Sequence, residues 1–262
     1  NEPEMVQEGC PYVEQACAKG DIDIWSERNM NLSPDGGRTP ALRAEADPEA
    51  IEAAFEHGQV FTGDIDIPII DWRYYLEPWL NMHNSVQSFV SRQRMLDADG
   101  HASNQVVWFT RAPDGDVDEE DSPQLAMAFE VMDTWMTNIA EHPRRSVAAN
   151  KPPLAVDSCF GIDTRDPIAS GRHVWDGIVN DLPTGECARQ FPVHSTSRMV
   201  AGGPLTGDIF KCELQPVRAA AARGVYGDWE PTSAEVDRLR AIFPDGVCDY
   251  RKDGARRPHG HG

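Results

Sequence analysis

Positive charge is scarce in this chain. Lys and Arg total 24 against 43 Asp and Glu, a formal net charge of −19. Nucleic acid needs a basic footprint on its partner, so this balance excludes it. An anionic membrane surface is disfavoured for the same reason. The surplus reads as a solvated acidic surface that keeps the protein in solution. Long apolar runs are also missing. None approaches the ~20 residues that span a bilayer, so no membrane span is expected, and no charged-then-apolar leader opens the chain. The sequence starts at Asn1 rather than Met, which reads as a processed or trimmed end.

Two short motifs are absent as well. The six cysteines, Cys10, Cys17, Cys159, Cys187, Cys212 and Cys248, contain no C-x-x-C pair, so neither a zinc site nor a thioredoxin-like redox site is indicated. An even, dispersed set suggests disulfides and a secreted or periplasmic protein. Sequence proximity alone pairs them as Cys10–Cys17, Cys159–Cys187 and Cys212–Cys248, one of fifteen connectivities. The second absent motif is G-x-S-x-G, the strained turn that presents a nucleophilic serine in α/β-hydrolases. Neither "HNSVQSF" nor "PVHSTS" has the flanking glycines. No cysteine sits in such an elbow either, so the chain lacks a recognisable nucleophile.

What is present is an ordinary globular composition. Hydrophobic residues make up 40% of 262 positions, enough for one large domain or two small ones. Residues 4–19 could form a short helix within an N-terminal helical and loop segment, 1–44. In "DPEAIEAAFEHG" Asp47 caps a helix, Pro48 takes its first turn and Gly58 ends it. Ile67-Pro68-Ile69-Ile70 reads as a strand covered on both faces. Apolar residues recur at helical spacing from Met82 to Leu96, and Gly100 stops that helix. "NQVVWFT" is a second strand, and "SPQLAMAFEVMDTWMTNIAEH" a further helix. Strand–helix–strand–helix at this spacing predicts a parallel sheet with crossover helices over 45–148. From 149 to 262 the chain is rich in Pro, Gly and Cys, with one clear helix in "PTSAEVDRLRAIFP", capped near Thr232 or Ser233. This part reads as a loop-rich, disulfide-pinned cover. Two strands are too few for an independent sheet, which points to a missing partner segment.

Candidate chemistry is sparse. "DGDVDEEDS" places Asp114, Asp116 and Asp118 at alternate positions, a spacing that suits hard cations. An EF-hand loop would need Gly and Glu where Glu119 and Leu125 stand, so a solvated loop is the simpler reading. His259 and His261 lie in a polar tail. His57 suits a helix C-terminus, and His101 follows Gly100 in a turn. His83 and His194 stand out, each in a loop beside apolar sequence, although lone loop histidines are commonly structural.

Five segments in order, "IPIIDWRYYLEPWLNMHNSVQSFVSRQRM", "NQVVWF", "KPPLAVDSC", "FPVHSTSRMVAGGPLTGDIFKCELQPV" and "RLRAIFPDGVCDYRK", resemble the C-terminal part of a family of exported bacterial α/β-hydrolase-like proteins distantly related to tannase and feruloyl esterase. The resemblance covers residues 45–253. It implies the C-terminal section of an α/β-hydrolase-like fold, with "IPIID" as the penultimate sheet strand and "NQVVWF" as the last. It further implies that the first sheet strands, the oxyanion-hole loop and the nucleophilic serine lie in an N-terminal part that this chain does not contain.

In such a fold the triad acid follows the first of these strands and the histidine follows the second. Glu77 is the first candidate for the acid and Asp71, at the strand itself, the second. No histidine follows "NQVVWF", which departs from the usual order. The base is then His83, ranked slightly ahead, or His194, brought back by the C-terminal cover. A purely structural reading pairs Glu77 with Arg73 or Arg92 and lets His83 cap the helix it opens.

The expected function is ester or amide hydrolysis without a cofactor or metal. The serine would be supplied by a second polypeptide. The alternative is a non-enzymatic exported subunit of a binding or structural assembly. The substrate is not legible, because specificity resides in loops that no motif identifies.

Overall fold

The computed structural model describes residues 46–79, 83–113, 122–179, 182–200, 202–225, 227 and 229–254. The chain divides into two compact units, one spanning Gly63–His194 and the other formed by the residues up to Thr62 and from Ser195 onward. Sequence boundaries were expected after residues 44 and 148.

Helix α1 (Pro48–Glu56) belongs to the second unit. The Asp47 carboxylate accepts the backbone N–H groups of Glu49 and Ala50 at 3.0 and 3.1 Å, and Gly58 turns the chain with φ +69°. This is the capping read from "DPEAIEAAFEHG".

The Gly63–His194 unit is built on a four-stranded sheet. In chain order come β1 (Ile69–Tyr75), α2 (Val86–Asp99), β2 (Gln105–Arg111), α3 (Pro123–Glu141), β3 (Ser158–Phe160), β4 (Pro167–Ser170) and the short helix α4 (Glu186–Gln190). Strands β1, β2 and β3 run parallel, β4 is antiparallel to β3, and the order is β1-β2-β3-β4. "NQVVWF" is therefore an interior strand and not the last. The three-residue β3 and the mostly exposed β4 are too short to leave a periodic signal in a Pro- and Cys-rich stretch.

Strand β1 also starts later than its apolar run. Ile67 is exposed, Pro68 has no N–H for a ladder, and the carbonyls of Ile65 and Ile67 are taken by the side chain of Asn104. Among the described residues, β1 has a strand neighbour on one side only.

Alternation along β2 builds a core on each face of the sheet. Val106 and Trp108 face a cluster with Ala128, Val131 and Trp135 of α3, and with Ala155 and Phe160, joined by Ile70 and Trp72 of β1. Phe109 lies on the opposite face with Tyr75, Phe89, Trp175 and Phe191, whose rings meet mostly edge-on. Such geometry favours the aromatic quadrupoles. Arg92 of α2 grips Asp157 through two 2.7 Å hydrogen bonds, and Asp157 accepts the Val107 N–H at 2.9 Å. That network fixes α2 to the sheet just before β3.

Helix α2 begins at Val86 with Ser85 at its N-cap, and Gly100 closes it in the left-handed conformation. Helix α3 is capped by Ser122, which accepts the Leu125 N–H. The Cys159–Cys187 disulfide ties β3 to α4.

The second unit continues with α5 (Ser197–Val200), β5 (Leu214–Gln215), α6 (Val217–Ala222), α7 (Ser233–Ile242) and β6 (Val247–Cys248). Thr232 and Glu235 form a capping box on α7. Strands β5 and β6 pair antiparallel, and the Cys212–Cys248 disulfide closes them. Two of the three pairings expected from proximity are thus present. Cys10–Cys17, the helix expected over 4–19, the acidic loop 114–121 and the tail histidines His259 and His261 lie outside the described residues. Among the described residues, no helix is long and apolar enough to cross a membrane.

Candidate functional site

Strand β1 ends at Tyr75, and Glu77 opens a single 3-10 turn, Glu77–Trp79. The side chain of Glu77 is turned inward and the residue is only 3% exposed. Its carboxylate accepts the Ser85 backbone N–H at 2.6 Å and the Ser85 hydroxyl at 3.0 Å. Ser85 is itself fully buried, at the start of α2. The partial positive charge of a helix N-terminus favours a carboxylate in that place.

Burial nevertheless dominates and raises the Glu77 pKa above the ordinary carboxylate value. The hydrogen bonds from Ser85 and the nearby charge of His194 oppose the rise. A carboxyl held out of water and tuned in this way is a common feature of functional sites.

Neither arginine considered as a structural partner reaches Glu77. Arg73 donates to the Asn84 carbonyl at 3.0 Å and pairs with Asp71 at 3.3 Å, and Arg92 is committed to Asp157 and Gln105. Asp71 thus lies part-buried in an ion pair on the strand, whereas Glu77 is held by Ser85.

His194 approaches from the opposite end of the unit. Helix α4 leads into Phe191, Pro192 and Val193, and His194 is the first exposed side chain after Val193. The Phe191 ring is fully buried edge-on to Tyr75, 5.3 Å between centroids, and the Arg111 guanidinium lies 5.3 Å above it. The Tyr75 hydroxyl donates to the Pro192 carbonyl at 2.5 Å. Burial, reinforced by the Glu77 charge, raises the Tyr75 pKa far above the ordinary phenol value, so Tyr75 stays a neutral donor. Gly185, at the N-cap of α4, lies against the Val174 carbonyl. A Cβ there would fall 2.2 Å from that oxygen, so no larger residue fits.

His83 is exposed, two residues before Ser85, the N-cap of α2, whose own side chain makes no capping bond. The charge of His194 is felt at Glu77 as the smallest of the influences on its carboxyl, and Asp71 stays with Arg73. Sequence reading missed Ser85, Tyr75 and the anchored segment 191–193. Of these, only Ser85 carried a sequence signal, as a serine immediately before a helical run. Among the described residues, no group of three or more His, Cys, Asp or Glu could hold a metal ion.

No curated protein and no solved structure gives a significant match to the chain. One family model does match, over residues 19–259, and its description is a tannase-like family of unknown function (DUF6351). That match covers nearly the whole chain, which therefore belongs to this tannase-like family.

Proposed function

We propose that the chain is the acid- and base-bearing part of an exported esterase-type serine hydrolase, acting on ester or amide bonds. The nucleophilic serine resides on a second polypeptide. His194 takes the serine proton as the oxygen attacks the substrate carbonyl and returns it to the leaving group as the tetrahedral intermediate collapses. Water then attacks the acyl-enzyme with the same base, which releases the acid product and restores the serine. Glu77 orients the imidazole and stabilises its charged form.

One observation carries this reading. A carboxylate 3% exposed, with no arginine or lysine bonded to it among the described residues, is held by Ser85 within range of the His194 charge. A buried carboxylate without a cationic partner is costly for stability alone. Membership of a tannase-like family supports ester chemistry. The single-sided strand β1 is where a further part of the sheet would attach, and the two disulfides fit an oxidising compartment. The charge of His194 at Glu77 supports His194 as the base over His83.

The test is fluorophosphonate labelling of native material, with intact mass and N-terminal sequencing of every chain present. A labelled second chain with a Gly-flanked serine is the expected result. If no chain is labelled, the serine-hydrolase reading fails.

A further inference from the structure

Resting on the hydrolase reading above, we propose that Tyr75 is a positioning residue that tethers the loop carrying His194 to the strand end carrying Glu77. Tyr75 and Glu77 are two residues apart at the end of β1, so a rigid strand sets both the acid and the tether. The Tyr75 hydroxyl holds the Pro192 carbonyl two residues before His194. Its ring lies edge-on to Phe191 and stacks against Phe109 of β2 at 6.5 Å. Arg111, at the end of β2, lies over the Phe191 ring.

Pro192 is an exposed residue, and its carbonyl is bonded to Tyr75 in a part-buried setting. What the bond specifies is where the chain turns before His194. Strand β2 supplies Phe109 and Arg111 to the same anchor, and Cys187 is fixed to β3 by its disulfide. The base therefore leaves the surface from a segment held at three places, with Tyr75 the one nearest the acid. Preorganisation of this kind sets reaction geometry, and misplacement by about 1 Å can cost on the order of 100-fold in rate.

The Glu77 titration can report the tether, because the His194 charge acts to lower it, as the smallest of the influences on that carboxyl. Tyr75 is neutral wherever Glu77 titrates, so Tyr75→Phe changes no local charge and preserves the ring. Carboxyl-carbon NMR on the full chain would follow Glu77 in wild type, Tyr75→Phe, His194→Gln and the double variant. The expected result is that each single variant raises the Glu77 pKa and that the double variant raises it no further than His194→Gln alone. In the native assembly, Tyr75→Phe is expected to lower kcat about 10- to 100-fold with KM within about twofold. Phe191→Leu, which loosens the same anchor without touching the hydroxyl, provides a second variant with the same expected rise. An unmoved Glu77 titration in Tyr75→Phe, or a shift additive with that of His194→Gln, overturns the tether and leaves the hydrolase reading standing. If His194→Gln itself leaves Glu77 unmoved, the Glu77–His194 pairing is wrong and both proposals fall.

Discussion

Ser85 gives Glu77 two hydrogen bonds from one residue, its backbone N–H at 2.6 Å and its hydroxyl at 3.0 Å. A single buried serine thus orients both carboxylate oxygens without neutralising their charge. Substituting Ser85→Ala removes one of the two bonds and leaves a buried oxygen short of a donor. The expected cost is about 1–3 kcal/mol, measured by chemical denaturation, with a further rise in the Glu77 pKa because a bond to its charged form is lost.

Glu77→Gln separates stability from chemistry. Burial raises the folded-state pKa of Glu77, so the group's contribution to stability is fully present below the unfolded-state pKa. It is lost as pH rises through the folded-state value. Gln keeps the shape, accepts the Ser85 N–H and donates to the Ser85 hydroxyl. Thermal melts are expected to coincide near pH 4 and to favour Glu77→Gln increasingly as pH rises to neutrality. Activity of the native assembly should fall about 10³- to 10⁴-fold, the scale of losing the orienting acid of a triad. A variant that is destabilised at neutral pH would assign Glu77 to structure instead.

The two candidate bases separate by the same logic. His194→Gln is expected to lower kcat by at least about 100-fold, while His83→Gln, at an exposed site before α2, should stay within about twofold. The reverse ranking would return the base to His83. Paired kinetic assays on the native assembly decide between them.

Glu77 stood out in the sequence as a candidate because a strand that runs into "LEP" places an acid at the strand end; its burial against Ser85 was not legible. The caps at Asp47 and near Thr232 were legible because they are local hydrogen-bond chemistry, complete within four residues. The parallel pairing of β1 with β2 followed from strand–helix–strand spacing. His194 was named as a candidate base, but the anchoring of the segment before it was not legible, since Phe191 packs against Tyr75 in a tertiary contact with no spacing rule. Strand β3 escaped for another reason. Its place is fixed by Asp157, which holds both the Val107 N–H and the Arg92 guanidinium, and such anchoring leaves no periodicity.

That anchoring is testable. Arg92 and Asp157 are mostly buried and bonded in parallel. Arg92→Met keeps the apolar stem and strands Asp157 beside the sheet. The expected loss is about 2–3 kcal/mol in denaturant unfolding, toward the lower end for a broken buried pair because both groups keep some solvent.

The two disulfides should be alike in stability and unlike in function. They close loops of 28 and 36 residues, for which chain entropy gives about 3.5–4 kcal/mol each. Replacing either pair by alanine should therefore lower the unfolding free energy by similar amounts. Only the Cys159–Cys187 pair, however, fastens the helix that leads through Phe191 into His194. Its loss frees one of the three anchors of that segment while the sheet stays covered. Removing Cys159–Cys187 is expected to lower kcat about tenfold under conditions where the protein remains folded, and removing Cys212–Cys248, in the other unit, should leave kcat within about twofold. Equal losses of activity would mean that the disulfides act through global stability alone and that the His194 segment is held by its aromatic contacts.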